Sequence, residues 1–266
     1  MPIDLDGRTA IVTSGAQDAG RTIAQRFLDA GANVMLADAE DLSADEADEM
    51  LDCTEDRWAR FHFAGQDKLA IANLLAATTD RFERIDILVN SAQPHFAPGE
   101  FLNLETGEFD AAVASNVSAV FQLSQAVVRK MLADRDADAP AGAIVNVSSI
   151  AARRTLPALL TYSVSCAALD QLTRSMAASL ADQKVRVNAV ALGGVLTERL
   201  QTAFRDDESL RDEMIKVTPM GRLAEMDEAA DTALFLASDH ASFVTGQVIA
   251  VDGGRTLLDP LASPVR

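Results

Sequence analysis

A phenol and a thiol stand four residues apart in Tyr162-Ser163-Val164-Ser165-Cys166, the spacing of one helical turn. A tyrosine can give or take a proton, and a cysteine can attack an electrophile once it is a thiolate. Their sequence neighbours prime neither group. A free tyrosine ionises near pH ~10, so about one phenol in a thousand is charged at neutral pH. A free thiol ionises near ~8.5. Cys166 is followed by Ala167, Ala168 and Leu169 with no histidine beside it, the setting of a structural thiol. His95, in Gln93-Pro94-His95-Phe96-Ala97-Pro98, is a loop histidine that could serve as an acid/base, and Ser149 is a hydroxyl it could activate. No acid is placed by the sequence to orient that imidazole for hydrolysis. Nor do His and Cys positions have metal-ligand spacing, so no metal centre is expected. The two cysteines, Cys53 and Cys166, are expected to be free thiols.

The elements that must carry these groups alternate in type. Six short aliphatic runs, Thr9-Ala10-Ile11-Val12-Thr13, Asn33-Val34-Met35-Leu36-Ala37, Ile85-Asp86-Ile87-Leu88-Val89, Ala143-Ile144-Val145-Asn146-Val147, Val185-Arg186-Val187-Asn188-Ala189-Val190 and Gln247-Val248-Ile249-Ala250-Val251, read as strands buried on both faces. Helical stretches lie between them. In residues 20–31, Ile23, Ala24, Phe27 and Leu28 share one face, Arg21, Gln25, Arg26 and Asp29 the other, and Gly31 supplies a stop. Strand and helix in alternation predict an α/β fold: a single Rossmann-type domain over residues 1–266, its doubly wound parallel sheet flanked by helices on both faces. Residues 134–142, 196–219 and the tail 255–266 are the loop-like stretches, and none is low enough in complexity to mark a domain boundary.

Charge narrows the partners. Asp and Glu number 40 against 23 Lys and Arg, a net charge of -17, which repels a phosphate backbone or an anionic bilayer. The start, Met1-Pro2-Ile3-Asp4-Leu5-Asp6-Gly7, has neither a basic region nor an apolar signal core, and no apolar run approaches the ~18 residues of a membrane span. The expectation is a cytoplasmic protein that binds neither nucleic acid nor membrane.

In a doubly wound sheet the turn after the first strand meets a helix N-terminus, where unpaired N–H groups and the helix dipole favour an anion. Here that turn is Thr13-Ser14-Gly15-Ala16-Gln17-Asp18-Ala19-Gly20, and Asp38 follows 20 residues after Asp18, the spacing of a ribose-binding acid. With Glu40 and Asp41 close behind and no Arg nearby, NAD is favoured over NADP.

Further motifs follow in order: Leu88-Val89-Asn90-Ser91-Ala92-Gln93, Asn116, Ile144-Val145-Asn146-Val147-Ser148-Ser149, Tyr162, Arg186-Val187-Asn188-Ala189-Val190, Thr197, Phe243-Val244-Thr245-Gly246-Gln247 and Val251-Asp252-Gly253-Gly254. Each is weak alone. Their joint order, with 13 residues from Ser149 to Tyr162, makes the chain from about residue 5 to residue 254 resemble a short-chain dehydrogenase/reductase. The resemblance implies that Tyr162 is the acid/base, that Ser149 hydrogen-bonds the substrate oxygen, and that Asn116 holds the local helix geometry and a relay water. It also implies that Thr13, Ser14, Asp18, Gly20, Asp38, Asn90, Ala92 and Thr197 line a cofactor cleft. The family carries a Lys four residues after the Tyr, which anchors the nicotinamide ribose and lowers the Tyr pKa. This chain has Cys166, which can do neither.

Other departures lie along the same cleft. Ser14 and Asp18 occupy the first two glycine positions of the family's Thr-Gly-x-x-x-Gly-x-Gly turn, His62 aligns with an adenine-side Asp, Gln93 stands for a Gly, and Leu192-Gly193 for Pro-Gly. Asp18 either repels a pyrophosphate or caps the helix with its own oxygen. Two functions follow as expectations. One is a non-catalytic subunit of an oligomer of this family, with NAD(H) binding weak or lost. The other is an NAD(H)-preferring alcohol/carbonyl oxidoreductase with slow, mainly reductive turnover. The family's habits imply a homodimer, a homotetramer or a hetero-oligomer with an active paralogue. The helix over residues 109–131, with Val113, Val117, Val120, Phe121 and Val127, is the expected docking face, and Arg153 and Arg154 are expected to border the substrate cleft.

Overall fold

Every aliphatic run read from the sequence becomes a strand of one parallel sheet, in the order β3-β2-β1-β4-β5-β6-β7. The strands are β1 (Thr9–Thr13), β2 (Asn33–Asp38), β3 (Trp58–His62), β4 (Ile87–Asn90), β5 (Ala143–Ser149), β6 (Arg186–Leu192) and β7 (Val248–Val251). The computed structural model describes residues 3–14, 18–39, 51–53, 55–63, 67–91, 99–134 and 142–257. The direction in which successive strands are added reverses between β1 and β4, the switch point where a doubly wound sheet opens a crevice above its strand ends.

Alternate residues of each strand face opposite layers. Val12, Val34, Val145 and Val190 pack with Phe27 and Leu28 of helix α1 (Asp18–Asp29) and with Ala230 and Leu234 of helix α8 (Met226–Ala237). Ile11, Met35, Leu88, Ile144 and Val187 pack on the other face against helix α2 (Lys68–Phe82), helix α4 (Ala119–Asp134) and helix α5 (Leu160–Leu180). Gly31 ends α1 at φ 95°, a left-handed conformation that glycine adopts without penalty.

The structure corrects several expectations. The third strand, β3, is absent from the six aliphatic runs because it lies at the sheet edge and carries Arg60 and His62. Residues 196–219 are not a loop. They hold helices α6 (Glu198–Asp206) and α7 (Glu208–Lys216), polar over most of their surface and started by caps, Thr197 Oγ1 accepting from Leu200 N at 3.1 Å and Asp207 Oδ1 from Ser209 N at 3.0 Å.

The helix expected over residues 109–131 is interrupted as well. Helix α3 (Thr106–Val113) passes through a π-helical turn, Ala114–Ser118, into α4. Its supposed docking face is split. Val120 and Val127 are buried in this chain's own core, and Phe121 points outward. The whole segment, Thr106–Asp134, is long and apolar enough to cross a bilayer, contrary to the sequence reading. Its apolar side is the one packed on the sheet through Leu123, Val127 and Met131.

Candidate active site

Ser149 ends β5 at the crest of the sheet, and Tyr162 lies in the first turn of α5. The short connection between them returns the chain over the strand end, so two residues 13 apart in sequence meet, the Tyr162 hydroxyl hydrogen-bonding the Ser149 side chain. Ser149 Oγ also accepts from Ala151 N at 3.2 Å and lies 3.5 Å from the Leu192 carbonyl to which it donates. One turn along α5, Cys166 is 3% exposed and in hydrogen-bond contact with the same phenol.

The charge balance of this pair runs against ionisation. Burial raises the Tyr162 pKa above the ordinary value of 10.0, Cys166 raises it further, and the Ser149 hydrogen bond opposes them only in part. Burial likewise pushes the Cys166 thiol up to about 12, with the contact from Tyr162 pulling down and the Asp170 charge pushing up. Both groups are therefore neutral at physiological pH. A neutral, buried thiol is not a nucleophile, which agrees with the structural reading of Cys166. Cys53 is also free.

Asp170, a second turn along the same buried face, was not singled out in the sequence. It is 4% exposed, and its carboxylate accepts from Ser148 Oγ at 2.6 Å. Burial raises its pKa, against the pull of Ser148, Arg153 and Arg174. The spacing of four between Tyr162, Cys166 and Asp170 was a readable sign that all three share one face of a helix.

Asn116 sits in the π-turn, 4% exposed, and its Nδ2 donates to Ser165 Oγ at 2.8 Å. Its amide is thus committed to α5. Asn90, at the end of β4, donates through Nδ2 to Ser124 Oγ at 3.1 Å and Asn146 Oδ1 at 2.8 Å, and Asn146 Nδ2 donates to Thr173 Oγ1 at 2.8 Å. This buried chain ties β4, β5, α4 and α5 together beneath the crest.

On the β1 side, Thr13 Oγ1 accepts from Ser91 N at 3.0 Å and donates to the Val89 carbonyl at 3.4 Å, clamping the ends of β1 and β4. Ser14 takes φ 50°, its N–H donating to the Ala37 carbonyl at 2.8 Å. Gly20 is buried in α1, and Asp18 is that helix's first residue, its side chain lying outside the described residues. Asp38 ends β2, 4% exposed, beside the exposed His62 of β3. Ala92, Gln93, His95, Glu40 and Asp41 also lie outside the described residues. Thr197 spends its hydroxyl on capping α6.

A family model described as enoyl-(acyl carrier protein) reductase matches residues 15–256. The chain belongs to the short-chain dehydrogenase/reductase family. Oxidoreductase UcpA of Escherichia coli (strain K12) is 34% identical over 260 residues, 95% of this chain and 96% of its own length. D-threitol dehydrogenase of Mycolicibacterium smegmatis is 37% identical over 257 residues, covering 95% of this chain and 94% of that one. Among solved structures, a glucose/ribitol dehydrogenase of the same family from Brucella melitensis superposes with a TM-score of 0.85 at 28% identity, covering 96% and 99% of the two chains. A 7α-hydroxysteroid dehydrogenase complexed with NADH and 7-oxo glycochenodeoxycholic acid gives 0.84 at 31% identity, covering 94% and 95%.

Within this family fold, Arg153 and Arg154 follow β5 in the connection to α5. Arg153 Nη2 donates to the Val248 carbonyl at 2.9 Å and Arg154 Nη2 to the Thr256 carbonyl at 2.7 Å, so both pin the loop after β5 to the last strand and the turn beyond it. Gly193 is required where the family has Gly after Pro, since an added Cβ would fall 2.6 Å from Asp252 Cα. Leu192, at the position of the family's Pro, ends β6 opposite Ser149.

Proposed function

We propose that this protein is a short-chain dehydrogenase/reductase whose hydride-transfer activity is lost or strongly impaired, and that it serves as a non-catalytic subunit of an oligomer built on this fold. The observation that carries the reading is the neutral, buried Tyr162–Cys166 pair where the family has a phenol beside an ammonium. A bound nicotinamide supplies or removes a hydride at carbon, and the protein must handle the accompanying proton. Oxidation of an alcohol needs Tyr162 as phenolate, the form that burial and the thiol both disfavour. Each pKa unit of lost depression costs about 1.4 kcal/mol.

A second reading is favoured by the contact between Ser149 and Tyr162. A carbonyl oxygen held by Ser149 takes its proton from the neutral phenol, so reduction survives where oxidation fails. The left-handed turn at Ser14 and the acid Asp38 at the end of β2 suit the adenosine half of NAD(H). Position 166 holds no cation to anchor its nicotinamide ribose. Slow, mainly reductive turnover with NADH is the expected residue of activity.

Calorimetric titration with NADH and NADPH separates the two. Micromolar NADH binding supports the reductase, and undetectable binding supports the silent subunit. Alcohol oxidation with NAD as fast as carbonyl reduction would overturn both. Size-exclusion with light scattering tests the assembly, a strict monomer at micromolar concentration excluding the homodimer and homotetramer. A silent partner of an active paralogue must co-purify with a member of its own family.

A further inference from the structure

Ser165 is fully buried, and its hydroxyl is engaged on every side. It accepts from Asn116 Nδ2 at 2.8 Å and donates to the Tyr162 main-chain carbonyl at 2.9 Å. It also lies within hydrogen-bond reach of the Cys166 thiol. One hydroxyl therefore joins the π-turn, the turn of α5 that carries Tyr162 and the residue in the lysine position.

The π-turn explains why the join is needed. One extra residue per turn breaks the regular ladder of the helix Thr106–Asp134 and leaves Ala119 N–H bonded five residues back, to the Ala114 carbonyl. A distorted turn holds its shape only where the surroundings fix it. Here the fixing contact is a side chain of α5, and it lands three residues after Tyr162. A buried amide without an acceptor costs far more than the bond gains, so Asn116 and Ser165 hold each other strongly.

We infer that Ser165 is a positioning residue: it locks the first turn of α5 to the π-turn and so fixes where the Tyr162 phenol sits relative to Ser149. Asn116 then acts on Tyr162 through Ser165 rather than by touching a substrate. Tyr162's role as the acid matters only to the consequence of this clip, not to its existence.

The chain's single tyrosine and single tryptophan make the clip measurable without cofactor or substrate. Near-ultraviolet circular dichroism of Tyr162 reads its surroundings, and Trp58, on the far edge strand β3, reports the rest of the fold. Ser165→Ala is expected to diminish the tyrosine band with the tryptophan band unchanged. It should also bring phenolate absorbance in at a pH below global unfolding, whereas the parent's phenol ionises only as it unfolds. The groups facing the phenol are Ser149 from β5 and Cys166 from its own helix, with Asp170 one turn further beside Arg153 and Arg174. Ser165→Thr keeps the hydroxyl and should restore both signals. Asn116→Ala cuts the clip from the other side and should reproduce the Ser165→Ala signature, which serves if Ser165→Ala does not fold. Folded variants with the parent's tyrosine band and alkaline titration would overturn the inference. Failure to bind NADH would sink the catalytic reading and leave this test untouched.

Discussion

The two halves of the crest have changed in opposite ways. On the β5 and α5 side the hydrogen bonds around the phenol are assembled, Ser149 on Tyr162, Asn116 on Ser165 and Ser148 on Asp170, yet the positive charge that would drive proton transfer is missing. Across the switch point, on the β1 and β2 side, the acid Asp38 is in place and the chain still makes the left-handed turn, but with Ser14 where glycine makes it cheaply. One half keeps its geometry and has lost its electrostatics, while the other keeps its geometry under strain. Hydrogen bonds and main-chain direction are enforced by many neighbours, so they survive substitution. A single ammonium has no such redundancy.

The largest effect should come from restoring it. Cys166→Lys places a cation beside the phenol and is expected to lower the Tyr162 pKa by about one to three units, read as phenolate absorbance from the only tyrosine. Asp170, one turn on, shares that charge, so Cys166→Lys with Asp170→Asn should lower it further. An unmoved titration in the folded double variant would mean that the halves do not differ in electrostatics as described. Next in size is Asp18→Gly, which removes a like charge from the pyrophosphate turn and should tighten NADH binding tenfold or more by calorimetry. If affinity stays fixed, Asp18 was acting only as a helix cap.

Much of this contrast was legible in the sequence. Aliphatic runs alternating with amphipathic stretches gave the sheet, and the order of short motifs gave the positions of Asn116, Ser149 and Tyr162. Elements that lack an apolar signature were not legible: β3 is an edge strand that alternates with Arg60 and His62, and α6 and α7 are held by caps more than by a buried stripe. Side-chain direction was hidden too. The bond from the Asn90 amide to Asn146 could not be read, because that partner is 56 residues away in sequence. Arg153 and Arg154 are placed by the sequence in the loop bordering the cleft, but the carbonyls that take their hydrogen bonds, of Val248 and Thr256, lie still further along the chain.

A third test weighs the electrostatic half by stability. The folded-state pKa of Cys166 is raised from 9.0 to about 12, so its contribution is fully present below pH 9 and is lost as pH rises toward 12. Within that window the loss amounts to about 1.4 kcal/mol for each pH unit. Cys166→Ser carries no ionisable proton there. Its urea midpoint should fall less steeply between pH 9 and 11 than the parent's, and parallel curves would mean that the thiol is not shielded as described.

The smallest effect probes the strained half. A non-glycine residue in the left-handed region costs about 1–2 kcal/mol, and glycine's greater freedom in the unfolded chain takes back about 0.4–1. Ser14→Gly should therefore stabilise the protein by roughly 0.5–1 kcal/mol, a rise of a few degrees in melting temperature. Glu83 and Lys184 share the conformation, at φ 69° and 57°, where α2 and the turn after α5 end far from the crest. Their glycine substitutions should give a similar gain. If strain at Ser14 is the mark of a turn shaped for a dinucleotide, only Ser14→Gly will also tighten NADH binding, since only there does removing Cβ open the approach to a pyrophosphate. Equal stabilisation at all three sites with no change in affinity at any would make Ser14 an ordinary strained turn and remove the distinction between the two halves.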